Sequence, residues 1–264
     1  MSKSQNAVAQ NTTAENAIEV IDLKKTFNGT DYVLNGLNLA VPKGKITVII
    51  GFSGTGKSVL LRHILGLIKP TSGQIKIMGQ DITSLDEDEA IQLRMKFGVL
   101  FQYAALFDDM SVLGNVLFPL REHRKDLNMS QMKEIAYSKL KLAGLDEKHY
   151  DKLPSEISGG MRKRCGLARA LALDPAVLVY DEPTTGLDPV LTEMVDNLMV
   201  TTHNQIEGST TLVVSHDLYA AFRIGDYVAM LDSGKVLLHG PPKVFFETDI
   251  PLVKKFVDKG VHKS

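Results

Sequence analysis

Ile46-Thr47-Val48-Ile49-Ile50 runs directly into Gly51-Phe52-Ser53-Gly54-Thr55-Gly56-Lys57-Ser58, and an apolar, helix-like stretch over residues 59–68 follows at once. A β-branched run of this length fits a buried strand, so the order is strand, glycine-rich loop, helix. Backbone N–H groups in such a loop point inward and the following helix presents its positive end, which makes a cradle for phosphate oxygens. Lys57 reaches the β- and γ-phosphates as a point charge, and the Ser58 hydroxyl suits Mg²⁺, a hard cation that prefers oxygen.

Outward from this loop, the 264 residues with 44% hydrophobic content are enough to bury one large core or two small ones. The expectation is one domain over residues 17–245 with an inserted helical lobe at about 103–173. It is flanked by a disordered polar tail at 1–16 and a short C-terminal helix and tail at 246–264. Thirty basic and 31 acidic residues leave no electrostatic footprint for nucleic acid or an anionic membrane surface. The single Cys165 excludes an intrachain disulfide framework and reads as a small packed residue on a helix. No run approaches the roughly 18 apolar residues of a membrane span.

Residues 17–27 and 32–41 alternate as strands around Asn28-Gly29-Thr30-Asp31, a turn composition. Phe27 is placed either to stack on an adenine ring or to fill a core. After a break at 69–73, residues 74–78 alternate again, which predicts an antiparallel subdomain. Ser84-x-x-Glu87 reads as a capping box opening an acidic helix over 85–94. A strand at 96–102 ends in Gln102, and residues 103–173 are mostly helical. From residue 176 strands and helices alternate, which argues for a parallel sheet with ligands at the carboxyl ends of its strands.

The phosphate loop and one further segment fall at such ends. Val177-Leu178-Val179-Tyr180 is an apolar strand that delivers Asp181 and Glu182, which are either an ordinary acidic pair before Pro183 or a Mg²⁺ holder and a water-orienting base. With a phosphate loop upstream, the second reading is favoured. Ser158-Gly159-Gly160 opens a helix expected from Met161 to Leu173, a second glycine-containing helix N-terminus. A chain that already has a phosphate loop needs such an end if two copies face each other and each closes the other's nucleotide. The adjacent Arg162-Lys163-Arg164 reads as a solvated helix face.

With these residues in place, the chain resembles the nucleotide-binding subunit of an ABC transporter, from about residue 18 to 241. Residues 51–58 look like the Walker A loop, Gln102 the Q-loop glutamine and Ser158-Gly159-Gly160 the signature. Asp181 and Glu182 look like the Walker B end, Gly186-Leu187-Asp188-Pro189 the D-loop, Ser215-His216-Asp217 the switch histidine, and Phe27 the adenine-stacking aromatic. The resemblance implies an α/β P-loop NTPase fold, a RecA-like parallel core with an antiparallel β-subdomain and a helical subdomain. It further implies a head-to-tail homodimer that holds ATP between one copy's loop 51–58 and its partner's signature. Lys57 and Mg²⁺ on Ser58, Asp181 and Gln102 would offset phosphate charge, Glu182 would activate water, His216 would contact the γ-phosphate and Asp188 would link the two sites.

Two positions depart from the family pattern. Val59 stands where a threonine is common, and Met161 where the signature usually has glutamine; neither removes a backbone phosphate contact. Met161, together with Ala105-Leu106-Phe107-Asp108-Asp109-Met110-Ser111-Val112, resembles the ATPase of MCE-linked lipid transporters of the Mla type. That narrower likeness implies phospholipid movement between the membranes of a Gram-negative envelope and a peripheral place on the cytoplasmic face of the inner membrane. Its implied partners are an MlaE-type permease, a STAS-domain regulator and a periplasmic MCE-domain protein. Tyr103, Leu106, Phe107, Leu113 and Phe118 are either part of the helical core or a groove for a permease helix.

Overall fold

The computed structural model describes residues 15–261, so the expected tail at 1–16 lies almost wholly outside the described residues, as does the chain's end at 262–264. Contacts divide the chain into two compact units, Met1–Arg94 with Thr210–Ser264, and Met95–Ser209.

In the first unit, β1 (Asn16–Thr26), β2 (Tyr32–Pro42), β4 (Ser72–Ile77) and β5 (Gln80–Asp81) form an antiparallel sheet in the order β2-β1-β4-β5. Alternation places Ile18, Val20, Leu37 and Leu39 in its buried layer, and a register shift between Val20 and Leu23 lets Leu23 be buried as well. Beside it runs a second set of strands. β3 (Ile46–Ile50) pairs in parallel with β8 (Thr210–Val214) on one side and β9 (Tyr227–Asp232) on the other, and β9 turns back antiparallel into β10 (Lys235–Gly240). All five residues of β3 are buried, as a strand covered on both faces requires.

Helix α1 (Lys57–Ile64) is shorter than the apolar run predicts. Gly66 adopts φ 64°, its N–H donates to the His63 carbonyl at 3.0 Å and the Leu67 N–H to the Arg62 carbonyl at 2.9 Å. These are the two bonds of a Schellman end, which a glycine satisfies without strain, so the chain leaves the helix there. Helix α2 (Glu87–Arg94) also begins differently. The capping box is Asp86 with Glu89, each side chain accepting from the other's backbone N–H at 2.9 and 3.1 Å, rather than Ser84 with Glu87. At the C-terminal end the chain forms two helices, α8 (Lys243–Glu247) and α9 (Pro251–Val261), where one was expected. Helix α7 (Leu218–Ile224) completes this unit.

The second unit holds a parallel pair, β6 (Phe97–Leu100) with β7 (Val177–Asp181), and helices α3 (Val112–His123), α4 (Met129–Leu142), α5 (Gly159–Ala170) and α6 (Pro189–Gln205). Each helix start is marked by an oxygen-bearing side chain that accepts from the first turn: Ser111, Asn128, Ser158 and Asp188. Because Ser158 caps, α5 begins two residues earlier than the sequence suggested and ends at Ala170 rather than Leu173. Inside α3, the fully buried Asn115 accepts from the Phe107 N–H at 2.8 Å. Its amide donates to the carbonyls of Phe107, Met110 and Ser111, all at 3.1 Å. One side chain thereby fixes the loop that precedes its own helix.

Two predictions follow from this packing. Asn115→Ala leaves those buried groups without partners and lowers unfolding free energy by about 2–4 kcal/mol, read from the urea midpoint. Burial pushes the Cys165 thiol up to about 12, so thiolate is scarce at pH 8. Iodoacetamide should label the native chain at least ~100-fold more slowly than the urea-unfolded chain, measured by intact mass.

Candidate functional site

Loop 51–58, the 215–217 segment, Gln102 and the pair Asp181 and Glu182 follow the carboxyl ends of parallel strands, whereas Phe27 follows an antiparallel strand and Ser158-Gly159-Gly160 and Asp188 lie at helix starts. In the first unit, β3 and β8 are in register through Ile49 and Val214. The loop 51–58 leaves one strand and Ser215-His216-Asp217 leaves the other. Lys57 is 6% exposed and its ammonium lies back across the loop, donating to the carbonyls of Gly51 at 2.8 Å and Phe52 at 3.1 Å. Thr55 Oγ1 donates to the same Phe52 carbonyl at 2.9 Å. These bonds hold the loop curled around its own lysine. Ser53, Gly54 and Ser58 are exposed and Val59 is half-buried.

His216 is exposed, and its backbone is fixed from both sides. Ser215 Oγ accepts from the Asp217 N–H at 3.0 Å, and Asp217 caps α7 by accepting from the Ala220 N–H at 3.0 Å. Phe27 follows β1 directly and is 65% exposed, with the Lys25 ammonium 5.1 Å from its ring centre. A core-filling role for Phe27 is excluded by that exposure. The loop also has a neighbour that sequence reading missed: Phe52 meets Phe256 of α9 edge to face at 4.9 Å between ring centres. The amphipathic pattern of the C-terminal helix was visible, but the partner of its apolar face was not.

In the second unit, β6 and β7 are in register through Leu100 and Tyr180, so Gln102 and the pair Asp181 and Glu182 leave adjacent strand ends. Gln102 donates to the Tyr103 hydroxyl at 3.3 Å. Glu182 has φ 47°, a left-handed conformation uncommon for a side-chain-bearing residue, and its carboxylate accepts from Thr185 Oγ1 at 2.9 Å. Asp188 accepts from the N–H groups of Val190 and Leu191 at 2.9 and 3.0 Å as it caps α6. Ser158 is exposed and accepts from the Met161 N–H at 3.3 Å, leaving the N-terminal turn of α5 half-open with Gly159 and Gly160.

The expected solvated face at Arg162-Lys163-Arg164 needs correction. Arg162 is exposed, but it donates to the Ile157 carbonyl at 2.9 Å, and Arg164 donates to the Ala143 carbonyl at 2.8 Å. Lys163 is buried at 7% exposure and donates to the Pro183 carbonyl, one residue past Glu182. Burial holds its ammonium below the usual lysine range. The signal was available in the spacing, since Lys163 lies four residues before the buried Leu167 on one face of α5. Further along, Arg169 donates to the carbonyls of Ala104 and Ala105, both at 2.7 Å, where two consecutive residues sit at φ 61° and 47°.

The segment after Gln102 divides. Leu113 is buried and Phe107 packs on Phe118 at 4.6 Å, while Tyr103 is 82% exposed and Phe101 and Phe107 remain partly so. Among the described residues, no helix is long and apolar enough to cross a membrane.

Residues 34–185 match the model of the ABC transporter family. The chain is 44% identical over 244 residues to the probable ribonucleotide transport ATP-binding protein mkl of Mycobacterium leprae, covering 92% of this chain and 69% of that protein. It is 41% identical over 244 residues to the intermembrane phospholipid transport system ATP-binding protein MlaF of Haemophilus influenzae, covering 92% and 90% respectively. It is also 39% identical over 250 residues to the methionine import ATP-binding protein MetN of Carboxydothermus hydrogenoformans, covering 94% and 73%. A dimeric post-hydrolysis state of the ATP-binding cassette MJ0796, bound to ADP and Pi, matches with a TM-score of 0.76. There the identity is 32%, over 85% of this chain and 98% of that one. The chain belongs to the ABC transporter family and carries that family's ATP-binding, ATP-hydrolysing domain.

Proposed function

We propose that this chain is the ATPase subunit of a transporter that moves phospholipids between the inner and outer membranes of a Gram-negative envelope. The observation that carries this reading is the 41% identity to MlaF along about nine-tenths of both chains. Met161 in the signature and the 105–112 segment support it. A second reading, an ATPase for a different ABC permease, is favoured by the mkl and MetN matches and leaves the ATP chemistry unchanged.

In this reading two copies pack head to tail, and ATP lies between residues 51–58 of one and Ser158-Gly159-Gly160 of its partner. An arriving phosphate competes with the Gly51 and Phe52 carbonyls for the Lys57 ammonium and, being charged, wins it. Phe27 offers its exposed ring to adenine. Ser58, Gln102 and Asp181 supply hydroxyl, amide and carboxylate oxygens, a donor set that fits Mg²⁺. Bound there, Mg²⁺ would neutralise charge on the β- and γ-phosphates. Glu182, oriented by Thr185, takes the proton of the attacking water, and His216 contacts the γ-phosphate. Asp188, at the start of α6, communicates between the two sites of the dimer. ATP favours the closed dimer through contacts that ADP lacks, which is the differential binding a conformational switch requires.

The permease partner, of the MlaE type, is supported by the exposed aromatic groups at Phe101, Tyr103 and Phe107. Through it the subunit sits at the cytoplasmic face of the inner membrane. A STAS-domain regulator and an MCE-domain periplasmic protein complete the complex.

Lys57→Ala is expected to reduce ATP turnover at least ~10²-fold through lost phosphate stabilisation. Glu182→Gln should retain ATP-dependent dimerisation in gel filtration while phosphate release falls on the order of 10²–10³-fold; normal release in Glu182→Gln would remove the general-base assignment. A tagged pull-down from detergent-solubilised native membranes, with mass spectrometry of proteins and lipids, should recover an MlaE-like permease, an MCE-domain protein and phospholipid. Recovery of a different permease would discard the lipid assignment and keep the ATPase.

A further inference from the structure

Lys163 is a buried cation whose only partner among the described residues is a neutral carbonyl, that of Pro183. Burying an ammonium without a carboxylate costs several kcal/mol, and a methionine of similar length would pack the same space without that cost. A residue that is unfavourable for folding and sits next to reacting groups points to a functional constraint.

The loop it touches needs an anchor. Glu182 holds φ 47° immediately before a proline, and a following proline pushes the preceding residue toward extended backbone instead. The far end of the loop is fixed by the Asp188 cap on α6, and within it the Leu187 N–H donates to the Thr184 carbonyl at 3.2 Å. Thr185 bonds back to Glu182 through its N–H at 3.3 Å and its hydroxyl at 2.9 Å. Pro183 itself has no N–H to donate, so its carbonyl is the one backbone group through which it can be held. Lys163 takes that carbonyl from the first turns of α5, the helix whose N-terminus is Ser158-Gly159-Gly160.

We propose that Lys163 is a positioning residue for hydrolysis: its ammonium holds the Pro183 carbonyl so that Glu182 keeps its strained backbone, and it ties the signature helix to Glu182 within one subunit. The proposal deepens the function given above and rests on the assignment of Glu182 as the group that activates water. A shift of α5 when the partner's nucleotide engages its N-terminus then reaches Glu182 through a single side chain.

The experiment uses the full chain, affinity-purified with the membrane partners it retains, as wild type, Lys163→Met, Lys163→Gln, Lys163→Arg and Glu182→Gln. Lys163→Met should keep or raise the melting temperature, because a buried charge is gone, while kcat falls about tenfold and the KM for ATP stays within about twofold. Lys163→Arg, which still donates N–H groups and keeps the charge, should recover most of kcat; Lys163→Gln, neutral and one bond shorter, should not. A merely structural lysine would lower melting temperature and kcat together in both neutral variants, and that pattern overturns the proposal. Wild-type kcat in Lys163→Met alongside an inactive Glu182→Gln also overturns it while leaving the function intact. Normal turnover in Glu182→Gln removes the assignment on which both stand. If Lys163→Met does not fold, the comparison of Lys163→Gln with Lys163→Arg decides by the same criterion.

Discussion

The close approach of α5 to β6 is the constraint on which the working loops of the 95–209 unit depend. A Cβ on Gly166 would meet Leu100 at 2.9 Å and Ala104 at 3.0 Å, and one on Gly98 would lie 2.4 Å from the Ala170 carbonyl. At Gly98 the strand lies against the helix backbone with no room for a side chain, and at Gly166 the helix backbone lies against the side chains of Leu100 and Ala104. That approach brings the cations of α5 within reach of carbonyls on the loops that leave the strand ends. Arg169 takes Ala104 and Ala105, just after Gln102, and Lys163 takes Pro183, just after Glu182. One helix therefore governs two loops whose backbones are otherwise unfavourable, at φ 61°, 47° and 47°. In the proposed dimer, Ser158-Gly159-Gly160 at its N-terminus would make it the element through which the partner subunit is felt.

The other unit solves a different problem with the same architecture. A loop that must present N–H groups to an anion cannot also be buried without partners for its carbonyls. Lys57 meets that need by donating to Gly51 and Phe52, and Thr55 adds a second bond to Phe52. The loop is thus closed around a cation rather than around apolar side chains. His216 shares this logic, since Ser215 and Asp217 satisfy the backbone on either side and leave the imidazole exposed.

Much of this was legible before any coordinates, for reasons that are local. Strand β3 announces itself by five consecutive β-branched residues, and the helix start at Ser158-Gly159-Gly160 by its serine and glycines. The strand-to-loop transitions at Gly51, Gln102 and Asp181 follow from the same signal. What was not legible depended on which of two similar signals wins in three dimensions. Ser84 and Asp86 each begin a plausible capping box, and only the geometry of the turn selects Asp86. The apolar run after Ser58 continues past Ile64, yet the Schellman bonds at Gly66 end the helix. Composition misled at Arg162-Lys163-Arg164, where three cations suggested water and the helical period placed the middle one in the interior.

The substrate is less legible than the chemistry, and the reason is physical. Phosphate is gripped by backbone N–H groups, an ammonium and a few oxygens, and any ATPase of this family needs those whatever its permease carries. Relatives named for a ribonucleotide, a phospholipid and methionine accordingly share 44%, 41% and 39% of their residues with this chain, a spread too small to rank cargoes. Discrimination has to reside where the chain meets its membrane partner, in side chains that ATP never touches. Tyr103, 82% exposed, stands next to Gln102, accepts that residue's amide, and carries its ring into solvent. In the proposed complex, a permease that covered this ring would be joined by one hydrogen bond to the residue proposed to hold Mg²⁺, and partner contact and ATP turnover would be coupled through adjacent positions.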